Sequence, residues 1–178
     1  MSFVAHSLLP RLRERPLLFL DFEASSLSGG SWPVEIGYAW IERDRIRSEA
    51  TLIAPRGDWT MADWSDAAAR VHNIPIEAIR GGRPADEVAD GTDVFRQFEV
   101  VSDNPRWEQL WLDRLREGRP RIEVRPLGRA LRARLDDRAA NAAVQALFRS
   151  VAEHRAGPDA ERLARAWLLA TRTFGLAA

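Results

Sequence analysis

The chain has 178 residues, no cysteine and no lysine, and its 26 arginines are balanced by 26 acidic residues. That length points to one domain able to bury a core unaided, and the missing cysteine excludes a disulfide framework, a paired-thiol redox site and a thiolate zinc centre. No apolar run approaches the ~20 residues a bilayer span needs, and the short apolar stretch before Arg11, Arg13 and Arg15 has its charge on the wrong side for a secretory signal; a soluble, cytoplasmic protein is expected.

Charge is uneven along the chain. Residues 1–113 carry 12 arginines against 19 acidic residues, whereas residues 114–178 carry 14 arginines against 7. An all-arginine cation set is partly a matter of codon usage. As function, the split reads as an acidic half that binds cations and a basic half that meets phosphate.

In chain order, Leu17 to Phe22 is a short apolar run opened by Pro16, the pattern of a buried strand. Val34 to Ile41 and Ile46 to Ile53 read as two more strands joined by a hairpin at Glu42-Arg43-Asp44-Arg45. Ala62 to Val71 reads as a helix, Ala85 to Phe98 as containing another, and Glu99 to Ser102 as a short strand. Pro105 opens a helix whose Trp107, Leu110, Trp111 and Leu115 share one face. Arg121 to Val124 is a fifth strand candidate, and two Ala- and Arg-rich helices follow, Leu127 to Val151 and Pro158 to Thr173. This order predicts an α/β fold with a central mixed sheet flanked by helices. The expected organisation is a single domain over 1–178, with its core at about 17–172 and an N-terminal extension over 1–15.

Two segments carry chemistry. Along a strand side chains alternate, so Asp21 and Glu23 project to one face and Phe22 to the other. Two carboxylates closing an apolar strand repel each other, and a hard divalent cation resolves that conflict; the alternative is a strand that has ended, with both acids in water. The second segment is His154-Arg155-Ala156-Gly157-Pro158-Asp159. Gly157-Pro158 marks a helix start, which puts Asp159 in the first turn, where the helix dipole favours a carboxylate, and His154 on the loop before it. The plainer alternative is an ordinary helix-start aspartate beside a surface histidine. With three histidines and none paired at ligand spacing, a histidine zinc site is not indicated.

Together these segments resemble the DEDD (DnaQ-like) 3′→5′ exonuclease superfamily, DEDDh subgroup. Asp21-Phe22-Glu23-Ala24-Ser25-Ser26-Leu27 with Pro33-Val34-Glu35-Ile36-Gly37 is similar to its first motif, and His154-Arg155-Ala156 with Asp159-Ala160 is similar to its third. Ala69-Arg70-Val71-His72-Asn73-Ile74 resembles an intervening segment, so the likeness runs over roughly residues 17–170. The second motif departs: where the family has aspartate, Asn104-Pro105-Arg106-Trp107-Glu108 puts Glu108, with Asp103 as a rival.

The resemblance implies a ribonuclease H-like fold and removal of nucleoside 5′-monophosphates from single-stranded DNA or RNA 3′ ends. It implies two divalent ions, Mg²⁺ or Mn²⁺, held by Asp21, Glu23, Asp159 and Glu108, with His154 as general base. It implies Leu27, Ser25 and Ser26 near the terminal nucleotide, with His72 structural or adjacent to substrate. A membrane partner is not implied, and a homodimer is allowed. The alternative is a catalytically weak or inactive relative that binds nucleic acid or protein.

Overall fold

A computed structural model describes residues 15–175. The expected N-terminal extension lies outside the described residues apart from Arg15. Six strands, β1 (Leu17–Ala24), β2 (Pro33–Glu42), β3 (Arg45–Ala54), β4 (Arg83–Pro84), β5 (Glu99–Ser102) and β6 (Val124–Pro126), form one sheet in the order β4-β3-β2-β1-β5-β6. The helices are α1 (Asp66–His72), α2 (Ile76–Arg80), α3 (Ala85–Gly91), α4 (Pro105–Leu115), α5 (Leu127–Arg134), α6 (Asp137–Arg149) and α7 (Ala156–Thr173). No helix among the described residues is long and apolar enough to cross a membrane.

The apolar run of β1 is an inner strand, antiparallel to β2 and parallel to β5. Its alternation divides the core. Leu18, Leu20 and Phe22 pack with Trp111, Leu112 and Leu115 of α4, while Leu17 and Phe19 pack against α5, α6 and α7. The β2–β3 hairpin turns at Arg43 and Asp44, both left-handed (φ 51° and 59°), as a two-residue turn matched to strand twist requires.

Several boundaries differ from expectation. The helix read over Ala62–Val71 starts only at Asp66, because Ser65 caps it by accepting from the Ala68 N–H. The region Ala85–Phe98 is α3 followed by a 3₁₀ segment, Thr92–Gln97. The strand expected over Arg121–Val124 is β6, Val124–Pro126, set by pairing with Val100–Ser102 rather than by Arg121–Ile122. Leu127–Val151 is two helices, since the Asp136 side chain accepts from the Ala139 N–H and starts α6 afresh. The last helix begins at Ala156, two residues before Pro158. Helix α2 and strand β4 were not anticipated; each is five residues or shorter.

Helix α7 lies against β2 and β3 at backbone range. A Cβ on Gly37 would overlap the Ala156 carbonyl group, and one on Gly157 would come within 2.9 Å of the Ala50 Cβ. Gly37 therefore has to lack a side chain for α7 to reach the sheet. Gly37→Ala is expected to destabilise the protein by on the order of 1–3 kcal/mol or more, as overpacking against an unyielding backbone does. Gly57→Ala, with open space around it, should leave thermal unfolding nearly unchanged. Equal melting temperatures for the two variants would contradict this account.

Candidate active site

Asp21 and Glu23 sit on the α7 face of β1, past the point where its pairing with β5 ends at Phe19 and Val101. Their partners across the antiparallel pair are Gly37 and Glu35. Like charges directly opposite each other destabilise a sheet, and here the two glutamates differ in what meets them. Glu35 is 3% exposed. Its Oε2 accepts from Arg155 Nε (3.0 Å) and the Ala156 N–H (2.9 Å), and its Oε1 accepts from Arg155 Nη2 (2.6 Å). Glu23 is held at a pKa of about 8, chiefly by burial and then by the nearby charges of Asp159 and Glu35, with Arg155 opposing. Burial likewise pushes the Asp21 carboxyl well above its ordinary range, reinforced by Glu23, Asp159 and Asp103 and opposed by Arg162.

The start of α7 supplies the next groups. Asp159 is buried, its Oδ1 accepting from the Glu153 N–H (3.0 Å) and its Oδ2 from the His154 N–H (2.9 Å). His154 is exposed and left-handed, with φ 54°. One ligand atom each from Glu23, His154 and Asp159 lie within 4.8 Å of one another, a grouping that can hold a metal ion.

From the opposite side, β5 ends at Ser102 and α4 begins at Pro105, so Glu108 falls in its first turn. Glu108 is 3% exposed, and its Oε2 is buried without a hydrogen-bond partner. Burial raises its pKa well above the ordinary value, with Asp21, Asp103 and Glu23 adding to the shift and a hydrogen bond from the Phe22 backbone opposing it. Asp103, beside them, accepts from Arg162 Nη2 at 2.8 Å. Arg162 also approaches Asp159, with Nε 3.5 Å from Oδ1.

The other expected residues are placed differently. Ser25 is fully buried, its hydroxyl accepting from the Trp32 N–H within the β1–β2 turn, so it offers no surface to a ligand. His72 is also buried; its Nδ1 accepts from the Ile74 N–H, and burial lowers its pKa. Ser26 bonds to Ser28, and Leu27 stands 70% exposed. Leu27 shares a surface groove with Arg106, Trp107 and Leu110. Sequence reasoning missed the parts played by Glu35 and Arg162. Alternation in β2 puts Glu35 and Gly37 on one face, but only strand pairing puts Glu35 opposite Glu23.

The charges of Asp21, Glu23 and Glu108 act on one another, and that of Asp159 acts on Asp21 and Glu23, while the group at mutual ligand distance is Glu23, His154 and Asp159. A hard divalent ion fits this donor set, and the unpartnered Glu108 oxygen is what such an ion would satisfy.

The structure is similar to that of E. coli exonuclease I in complex with a dA16 oligonucleotide, with TM-score 0.63 and 14% identity, over 89% of this chain and 41% of that one. It is similar to cell-death related nuclease 4, with TM-score 0.58 and 13% identity, over 91% of this chain and 65% of that one. A 3′-exonuclease solved for 3′-end specific recognition of histone mRNA stem-loop matches with TM-score 0.62 and 11% identity, over 91% of this chain and 83% of that one. The chain therefore spans less than half of exonuclease I and just under two thirds of nuclease 4. No protein-family model matches the chain, and no curated protein matches its sequence. The chain has a ribonuclease H-like α/β fold, shared with these structures and expected from the motifs.

The raised carboxyl groups set a pH dependence. Glu23 loses its proton near 4.5 in the unfolded chain and only near 8 in the fold, so rising pH favours the unfolded state across that window. The melting temperature of the metal-free protein is expected to fall between about pH 4.5 and pH 8, and Glu23→Gln should flatten the fall. Added Mn²⁺ should raise the melting temperature more at the alkaline end, where the acids are ready to bind it. A melting temperature indifferent to both pH and Mn²⁺ would contradict the assignment.

Proposed function

We propose that this protein is a metal-dependent 3′→5′ exonuclease that releases nucleoside 5′-monophosphates from the 3′ end of single-stranded DNA or RNA. The observation that carries the reading is the buried, unpartnered Oε2 of Glu108, set among Asp21, Glu23 and Asp103 in a fold shared with nucleases. A carboxylate left so is costly unless a cation meets it. Asp21, Glu23, Glu108 and Asp159 would hold two divalent ions, whose chemistry when bound would be to activate a water and to neutralise charge on the leaving 3′ oxygen. His154, exposed beside Glu23 and Asp159, takes the proton of the attacking water on its ring nitrogen. Leu27 and Trp107 flank the last base in the groove they share with Arg106, where stacking tolerates any sequence. Ser26 bonds to Ser28 in the turn that carries Leu27, while Ser25 and His72, both buried, act structurally.

Glu108 rather than Asp103 is the second-motif ligand in this reading, because Glu108 Oε2 is buried without a partner whereas Asp103 accepts from Arg162. The extra methylene of glutamate makes octahedral placement harder, and Mg²⁺ demands near-ideal octahedral geometry. Activity on end-labelled DNA and RNA oligomers is therefore expected to be higher with Mn²⁺ than with Mg²⁺ and absent with EDTA, and Glu108→Asp should narrow the gap. Asp21→Ala and Glu108→Ala should each lower turnover by roughly 10³-fold or more, the equivalent of several kcal/mol of lost charge stabilisation. Full activity in Glu108→Ala with none in Asp103→Ala would transfer the role to Asp103. A wild type inert with every metal would leave a nucleic-acid- or protein-binding module instead.

A further inference from the structure

His154 occupies a left-handed backbone conformation, φ 54°, which is uncommon for a residue with a Cβ and is held by its surroundings. Two sets of bonds flank it. On one side, Asp159 accepts from the N–H groups of Glu153 and His154. On the other, the chain immediately after His154 is gripped by Glu35, which receives Nε and Nη2 of Arg155 side-on and the Ala156 N–H as well. Glu35 stands on inner strand β2, and two residues along the same strand Gly37 meets the Ala156 backbone. The grip is thus anchored in the sheet, independently of the loop it holds.

We propose that Glu35 and Arg155 form a clamp that fixes the His154 turn over Glu23 and Asp159, making both of them positioning residues for the proton transfer assigned to His154. The inference rests on the exonuclease reading above. Simple helix capping would need no more than the bond to Ala156, and the N-cap residue, Arg155, makes no side-chain cap bond of its own. The fork from Arg155 is the additional element. A bidentate guanidinium–carboxylate pair sets direction as well as distance; the Glu35 carboxylate is buried, while the Arg155 side chain is 45% exposed, so geometry rather than a water-free ion pair carries the clamp. The clamp also resolves the pairing of Glu23 with Glu35 across the sheet. Three donors satisfy Glu35, so it does not compete for a cation, and Glu23 is left to bind one.

The test uses Arg155→Ala and Glu35→Gln in the full chain with two readouts. The first is amide hydrogen exchange at Glu153 and His154, followed by NMR on the metal-free protein. The second is kcat and KM with Mn²⁺ on a labelled single-stranded DNA oligomer. Both variants are expected to lower kcat by about 10²-fold, the scale of a misplaced catalytic group, with KM within about threefold of wild type. Exchange at His154 should accelerate by roughly tenfold as local opening becomes easier. The double variant should be no worse than the poorer single one, since the two residues act as a unit. Arg155→Ala leaves a buried carboxylate without its charge partner; if it fails to fold, Glu35→Gln decides, because it keeps an acceptor for Ala156 and removes the charge. Unchanged kcat would overturn the clamp. So would a raised KM at constant kcat, which would make Arg155 a substrate contact, or unchanged exchange at His154. If the wild type cleaves no nucleic acid with any metal, the exonuclease reading falls, and the exchange rates alone support or overturn the clamp.

Discussion

The backbone of α7 meets β2 with no side chain between them, and the site is assembled around that contact. Gly37 is opposite Asp21 in the strand pairing and beneath Ala156 in the helix packing. One missing Cβ therefore sets how near the first turn of α7 comes to the carboxylates of β1. Asp159, three residues into the helix from Ala156, shares ligand distance with Glu23 because the helix is seated this closely. The same seating lets Glu35, two residues before Gly37, reach the Ala156 N–H. Small residues carry the packing further, with Ala160 and Ala164 fully buried along the same helix.

Electrostatics then opposes what packing has assembled. Burial of Asp21, Glu23 and Glu108 favours their protonated forms, and their mutual repulsion adds to the effect. Arg155 and Arg162 moderate this, but each is directed mainly at an acid on the margin, Glu35 and Asp103 respectively. The arrangement keeps neighbouring acids occupied while the central ones stay available. It also revises the meaning of the charge asymmetry along the chain. Many arginines after residue 113 pair with acids before it, as Arg116 does with Asp93 and Arg119 with Asp86 and Asp90. Much of the basic half is thus engaged within the protein, while Arg129, Arg132 and Arg149 on α5 and α6 are exposed.

Glu108 enters the candidate site from another element. The helix that carries it is held by Trp111, Leu112 and Leu115 in the core on the opposite face of the sheet from α7. Because β5 stops at Ser102, β1 continues beyond it, and the first turn of α4 reaches the backbone of Phe22 and the charge of Asp21 across that open edge. The side chain approaches from a different element and a different face than Asp159 does, so carboxylates enclose the site from both sides.

Local pattern was enough to read some of this from the sequence. The apolar run with Asp21 and Glu23 at its end, the hairpin at Arg43-Asp44 and the His154–Asp159 spacing are each properties of consecutive residues, and alternation or helix-start chemistry gives their orientation. Boundaries governed by single capping side chains, such as Ser65 and Asp136, were blurred because several nearby residues offer the same chemistry. The inward turn of Ser25, the pairing of Asp103 with Arg162 and the pairing of Glu35 with Arg155 depend on partners 7, 59 and 120 residues away. No local periodicity encodes such pairings. They follow from strand register and from the depth to which α7 settles on the sheet, both of which exist only once distant segments have packed together.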